Sequence, residues 1–308
     1  MRTVFFGSSG FSVPSLLKIK DSVVAVVTRK ARPKGRGYQI DDNEVKRAAV
    51  QLDLPLIEID SFKDDEAKSI ADHRPDLFVV VSFGLIVPKW ALDVPAMGPI
   101  NIHPSLLPLY RGPSPMQWAL LSGDKATGIT FIRMNERMDE GDIIYQERIT
   151  IENDDDYITL SKRLSEKAAD RLPEIIDRIV RKGGMIEGTV QDHAAATYAP
   201  MITKEMGKMD WQQSAARLDC QVKAFVTWPT AFTYLDGKLL KVFSSSVDES
   251  VEAKAPVGTI TQVTKAGLEV STGKGLLIIR ELQLENKKRM NAYDFSIGYR
   301  ELRDKSLN

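Results

Sequence analysis

Asn101 and His103, one residue apart, lie in the stretch Ile100-Asn101-Ile102-His103-Pro104-Ser105-Leu106-Leu107-Pro108, with Arg111-Gly112-Pro113-Ser114-Pro115 close behind. Strand alternation puts the two polar side chains on one face and Ile100 and Ile102 on the other. A neutral amide donor beside an imidazole suits the stabilisation of an oxyanion formed at a carbonyl. A lone histidine near a strand end more often serves packing than chemistry, so the pair alone leaves both roles open. The turn formers directly after it, which open the strand into a loop beside both side chains, bring the two roles level and no further.

An open sheet has to hold this pair. Leu77-Phe78-Val79-Val80-Val81 reads as a buried strand broken by Ser82-Phe83-Gly84, and a second short strand leads into Asn101 and His103. Val4-Phe5-Phe6 runs into Gly7-Ser8-Ser9-Gly10, with Pro14 suited to the first turn of a helix. Residues 23–27 form the next strand, giving a βαβ start and a parallel sheet. The glycine turn lacks the Gly-x-Gly-x-x-Gly spacing of a dinucleotide site, and a tight strand-to-helix turn is the simpler assignment. Helices are predicted over 42–52, 64–72, 116–122 and 159–182, and strands over 56–59, 128–132 and 143–149. Pro173 should bend the longest helix and Gly183-Gly184 should end it. Residues 189–204, polar and alanine-rich, read as a linker with His193 exposed. A helix over 211–225 follows, then five strand candidates, 231–234, 239–243, 258–263, 267–271 and 276–284, at the spacing of a small barrel such as an OB-fold. The expected architecture is α/β: a Rossmann-like open, mostly parallel sheet over 1–188, the linker 189–204, and a C-terminal OB-like β-barrel domain over 205–308.

Composition narrows the function classes. The chain has 308 residues, 43% apolar and 27% charged, an ordinary globular balance. Lys plus Arg and Asp plus Glu are both 42, so any nucleic-acid contact must come from a local patch. Such a patch stands at 29–37, where Arg29, Lys30, Arg32, Lys34 and Arg36 occur with no acid among them. It is expected to be an exposed, mobile loop whose charge a polyanion neutralises. The single cysteine, Cys220, rules out an intrachain disulfide and fits a reducing compartment. No apolar run approaches the roughly 18 residues that span a bilayer. The N-terminus enters a strand at once, leaving no room for a signal peptide, so no membrane role and a cytoplasmic location are expected. Three scattered histidines and one cysteine offer no metal-ligand spacing.

Asn-x-His-x-Ser-Leu-Leu-Pro with Arg-Gly-x-x-Pro just after it resembles the signature of the folate-dependent formyltransferases. The likeness covers almost the whole chain and is strongest to those members that act on methionyl-tRNA. It includes the turn from Gly7 to Leu16, Arg-Pro-x-Gly-Arg-Gly at 32–37 and Phe83-Gly84-Leu85-Ile86. It continues through Ala224-Phe225-x-x-Trp228-Pro229 and Lys287-Lys288-x-Met290 ahead of Asp294-Phe295. The resemblance implies transfer of the formyl group of 10-formyltetrahydrofolate to the α-amine of methionine on initiator tRNA, for translation initiation; a monomer is expected. It makes Asp139, in the acidic turn Met138-Asp139-Glu140-Gly141-Asp142, the third catalytic residue. Asn101 and His103 would donate to the oxyanion, while Asp139 would hold the imidazole and relay a proton through water from the attacking amine. Ser105, Leu106, Leu107 and Pro108 are assigned to the folate, with Phe83, Gly84, Leu85 and Ile86 as pocket walls. Arg32, Lys34 and Arg36 would enter the acceptor stem, and Lys287, Lys288 and Arg289 in the second domain would hold the tRNA body.

Departures from the family pattern are specific. Arg29-Lys30-Ala31 stands where Gln-Pro-Asp is usual, and Gly-Ser-Ser-Gly replaces Gly-Thr-Pro-x. From Glu205 onward there are 15 basic and 13 acidic residues, a small excess for a nucleic-acid clamp. The rivals are a formyltransferase acting on a UDP-linked amino sugar and a formyltetrahydrofolate hydrolase-type domain, both of which carry a similar second domain. A different class is an RNA-binding protein on an inactive transferase scaffold. The basic loop argues against small substrates, and Asn101, His103 and Asp139 argue against loss of activity.

Overall fold

A strand with apolar residues at every position has no face to give to solvent, and it settles between layers. The computed structural model describes residues 1–34, 39–250, 255–299 and 301–308, and of 32–34 and 39–40 the backbone alone. Met1–Pro115, Ala126–Thr150 and Ser161–Ala199 form one compact unit; Met116–Lys125, Ile151–Leu160 and Pro200–Asn308 form a second.

In the first unit the strands are β1 (Thr3–Gly7), β2 (Val23–Arg29), β3 (Arg32–Lys34), β4 (Gln39–Asp41), β5 (Leu56–Ile59), β6 (Leu77–Val81), β7 (Pro99–His103), β8 (Ala126–Arg133) and β9 (Ile143–Thr150). Seven make one sheet in the order β5-β2-β1-β6-β7-β8-β9, parallel as far as β7 and antiparallel beyond it. Every residue of β1 and β6 is buried, the mark of parallel strands covered on both faces. The order reverses between β1 and β6, where open α/β sheets place ligands beyond the strand ends. Hydroxyls close that turn from within: Ser12 Oγ donates to the Val81 carbonyl at 2.6 Å and Ser9 Oγ to Ser82 Oγ at 2.9 Å.

The basic run is less open than its composition predicts. β3 and β4 pair as a two-stranded antiparallel ribbon, a placement Pro33 tolerates because it has no ladder N–H to lose. Lys30 sits 3.5 Å from Glu66 and 3.6 Å from Asp64. Arg36 lies outside the described residues, as do the side chains of Arg32 and Lys34. The helix Tyr157–Lys182 runs uninterrupted through Pro173. Leu164, Ala168, Leu172, Ile175, Ile176 and Ile179 are buried along it, so packing offsets the lost hydrogen bond. Gly183 ends it at φ +71, with Gly184 N bonded back to the Ile179 carbonyl.

In the second unit the helix Ala215–Ala224 starts later than its apolar pattern implies. Asp210 accepts from Gln212 N and holds the preceding residues in a turn, and Ser214 caps the helix through Arg217 N. The strands are β10 (Ala231–Leu235), β11 (Lys238–Asp248), β12 (Ile260–Thr264), β13 (Gly267–Ser271), β14 (Leu276–Leu284) and β15 (Met290–Asn291). They form a separate antiparallel sheet, β10-β11-β14-β13-β12, with β15 on β14. Asp236 and Gly237, both at positive φ, make the β10–β11 turn. Leu218 and Val222 of the helix pack with Leu240, Val242, Leu277 and Ile279 in this unit's core.

Candidate active site

β7 carries the pair named first. His103 stands opposite Thr130 and Asn101 opposite Ile132 on β8, while Ile100 and Ile102 are buried. Asn101 is half-buried and His103 is 4% exposed. Asp139 arrives from the turn after β8. Its Oδ1 accepts from Asn101 Nδ2 at 3.4 Å and lies 3.6 Å from His103 Nδ1, an ion-pair distance rather than a hydrogen bond. Its Oδ2 accepts from the Gly112 N–H at 2.8 Å. His103 Nε2 lies 2.9 Å from the Tyr110 carbonyl, which can only accept, so that nitrogen carries a proton. The structure thus brings Asn101, His103 and Asp139 together around one carboxylate.

The loop from Pro104 to Gly112 is held by buried hydroxyls. Thr130 Oγ1 donates to the Ser105 carbonyl at 2.6 Å and accepts from Leu107 N and Gln146 Nε2. Ser105 Oγ donates to the Leu109 carbonyl at 2.6 Å, and the Leu107-Pro108 bond is cis. Gly112 has φ +118, and a Cβ there would stand 2.8 Å from the Ala199 carbonyl, so only glycine brings its N–H to Asp139 without strain. On the other side of the site Asp139 itself is left-handed at φ +56. At Gly141 a Cβ would run into the Arg133 carbonyl.

The residues assigned to folate divide by environment. Ser105, Leu107 and Phe83 are buried, the last within an aromatic group with Phe6 and Phe62. Leu106 and Pro108 are half-buried, as is Leu85, while Gly84 and Ile86 are exposed. Lys287 and Lys288 are exposed in the turn before β15, whereas Arg289 pairs with Glu281 and lies 4.3 Å over the Phe243 ring. Sequence reasoning gave no role to Thr130, Gln146, Arg111 or Gln191. Arg111 is buried; its Nε and Nη2 donate to Gln191 Oε1, its Nη2 also to His193 Nδ1, and its Nη1 lies 3.3 Å from Glu140. Gln191 belongs to the segment read as a linker, which is bonded into the first unit from Thr189, through Ile143, to Ala199, through Arg111. His193 is exposed as expected, at 55% of its side chain, and still partners Arg111.

A Rossmann-like sheet with an amide, an imidazole and a carboxylate at its strand ends matches a known class. Residues 4–176 match the formyl transferase family and 201–300 the formyl transferase C-terminal domain, and the chain belongs to this family. Within it, the chain is 41% identical over 304 residues to the methionyl-tRNA formyltransferase of Citrifermentans bemidjiense, covering 97% of this chain and 94% of that one. Against the methionyl-tRNA formyltransferase of Alkaliphilus oremlandii it is 37% identical over 302 residues, covering 97% and 96%. Two solved structures share the fold. One is an N-formyltransferase from Helicobacter canadensis in complex with folinic acid and dTDP-3-aminofucose (TM-score 0.67, 17% identity, 94% of this chain and 100% of that one). The other is HypX from Aquifex aeolicus in complex with tetrahydrofolic acid (TM-score 0.65, 17% identity), of which this chain, matched over 96%, spans 46%. Among the described residues no helix is long and apolar enough to cross a membrane.

Proposed function

We propose that the protein transfers the formyl group of 10-formyltetrahydrofolate to the α-amine of methionine esterified to initiator tRNA, in the cytoplasm, where translation starts. One observation carries this: relatives 37–41% identical over 97% of the chain are methionyl-tRNA formyltransferases by name. The cosubstrate supplies a formyl carbon activated by its bond to N10. Ile86 is exposed and Leu85, Leu106 and Pro108 are half-buried, apolar side chains of a kind that suits a pterin and its aromatic linker.

The chemistry the residues perform follows from their positions. As the amine nitrogen bonds to the formyl carbon, charge develops on the formyl oxygen, and Asn101 Nδ2 donates to it. His103 becomes the second donor once substrate displaces the Tyr110 carbonyl from Nε2. Asp139, held by Gly112, receives through water the proton the amine loses and returns it to N10 as the carbon–N10 bond breaks. The products are formyl-methionyl-tRNA and tetrahydrofolate, with every proton accounted for.

The division of labour proposed is catalysis by 1–188, connection by 189–204 and tRNA binding by 205–308 on an OB-like barrel. Support for barrel closure comes from the last residues, which bond both edges of the second sheet: Asn308 exchanges two hydrogen bonds with Tyr234 of β10, and Asp304 N donates to the Ile260 carbonyl of β12. Arg32, Lys34 and Arg36, with Lys287 and Lys288, are the proposed phosphate contacts.

The test is direct. With methionyl initiator tRNA and 10-formyltetrahydrofolate, the protein should yield formyl-methionyl-tRNA and leave UDP-linked aminoarabinose unmodified. Formylation of the sugar alone, folate hydrolysis without an acceptor, or tRNA binding without folate binding would each replace the proposal with the corresponding rival.

A further inference from the structure

We infer that Gln191 is a positioning residue for Asp139, and that Arg111 fixes Gln191 for that task. The inference rests on the formyl-transfer function proposed above. Gln191 is 3% exposed and uses its whole hydrogen-bonding capacity. Its Nε2 donates to the Asp139 carbonyl at 2.8 Å and to the Gly141 carbonyl at 2.7 Å, one hydrogen for each. Its Oε1 accepts from Arg111 Nη2 at 2.8 Å and Nε at 3.2 Å. Turning the amide over would set its oxygen against two carbonyls and its NH2 against a guanidinium, so only one orientation is tolerated. A single side chain therefore ties together the two carbonyls flanking Glu140, at a turn where Asp139 has φ +56 and Gly141 has no room for a Cβ.

Arg111 extends the clamp to the opposite wall of the site. It is 2% exposed, with its charge met by Glu140 Oε1 at 3.3 Å, and that carboxylate also meets Arg137 Nη1 at 3.5 Å through its other oxygen. The next residue, Gly112, is the donor to Asp139 Oδ2. Backbone bonds from Arg111 N to Thr197 O at 2.9 Å and from Ala199 N to Arg111 O at 2.7 Å bind the same segment that carries Gln191. Both ends of Asp139, its carboxylate through Gly112 and its backbone through Gln191, are thus set by one connected unit. A shift of about 1 Å in a reacting group costs on the order of 10²-fold in rate, which is the scale at stake.

Gln191→Met keeps length and bulk and removes all four hydrogen bonds. Formylation of methionyl-tRNA, assayed well below a thermal midpoint lowered by the lost buried hydrogen bonds, should show kcat down about 10- to 100-fold with KM for both substrates within about threefold. Measured in single turnovers with excess enzyme, the same change in an Asp139→Asn background should cost less than about twofold, because Gln191 acts through a carboxylate already gone. Where Gln191→Met does not fold, Gln191→Glu, which keeps the acceptor for Arg111 and loses both donors, should give the same loss in kcat. An unchanged kcat, a loss confined to KM, or an equal loss with Asp139→Asn overturns the inference. A parent enzyme that formylates no methionyl-tRNA overturns the proposed function instead.

Discussion

β6 in the first unit is buried at all five positions, while β10 in the second alternates buried and half-buried residues along its length. The difference sets where function can reside. β1 beyond Thr3 and the whole of β6 carry no polar side chain, and the polar groups of the candidate site gather on β7 and in the loops beyond it. An alternating sheet shows one polar face along its whole length, and Lys241, Gln283 and Arg280 lie on such positions of β11 and β14. Chemistry in the first unit should therefore depend on a few atoms, and binding by the second should be spread over a surface.

The largest effect should come from Asp139. Asp139→Asn keeps the shape of the side chain and removes its charge and proton acceptor, and kcat for formylation should fall about 10³-fold. A loss under tenfold in steady-state assays would mean that the first unit does not concentrate its chemistry there. Gly112→Ala comes next. The added Cβ meets the Ala199 carbonyl at 2.8 Å in a left-handed backbone, so about 1–2 kcal/mol of stability should go. Because the displaced N–H is the one holding Asp139 Oδ2, kcat should drop about tenfold as well; melting curves and turnover measured together would show both.

What could be read in the sequence follows the same division. β1 and β6 were legible because uninterrupted apolar runs of that length have few other uses, and Asp236-Gly237 because two positive φ angles call for that dipeptide. Asn101 and His103 were legible by alternation, Asp139 only through family likeness, since acids at a turn are usually solvated. Gln191 gave no signal: it stands in a polar segment, and its partners lie 50 to 80 residues away. Arg111 was legible only as part of the Arg-Gly-x-x-Pro motif, because Glu140 and Gln191, which meet its guanidinium, stand far from it in the chain. The β3–β4 ribbon was missed because basic residues and Pro33 depress strand propensity, which matters little for an isolated edge pair.

The second unit should respond by degrees. Lys287→Ala with Lys288→Ala should raise KM for tRNA a few-fold, leave kcat unchanged, and lower the slope of log affinity against log salt by about 1 per lysine. Arg289→Ala should alter that slope less, because Glu281 already neutralises the guanidinium. Equal effects from all three would show that the local ion pair does not decide which cations reach phosphate.

The smallest effect should come from the edge of the first unit's own sheet, where β9 alternates as the second unit's strands do. Its Glu147 accepts from Arg171 Nε at 2.6 Å and from Tyr145 Oη at 2.8 Å. The bond to Arg171 outweighs burial and holds the Glu147 carboxyl below its ordinary value of 4.5. A carboxyl depressed on folding stabilises the protein above its unfolded value, and that stability is lost as pH falls through the folded one. Glu147→Gln should therefore lower the melting temperature slightly at neutral pH, by an amount worth about 1 kcal/mol or less, and the two proteins' melting curves should converge in acid. Burial first, then the bond to Glu147, pushes the Tyr145 phenol up to about 12, so in the same variant its ultraviolet titration should move downward. Turnover should not change, since among the described residues neither Glu147 nor its partners Arg171 and Tyr145 bond to Asp139. A loss of kcat in Glu147→Gln would mean that an alternating edge strand can carry chemistry after all.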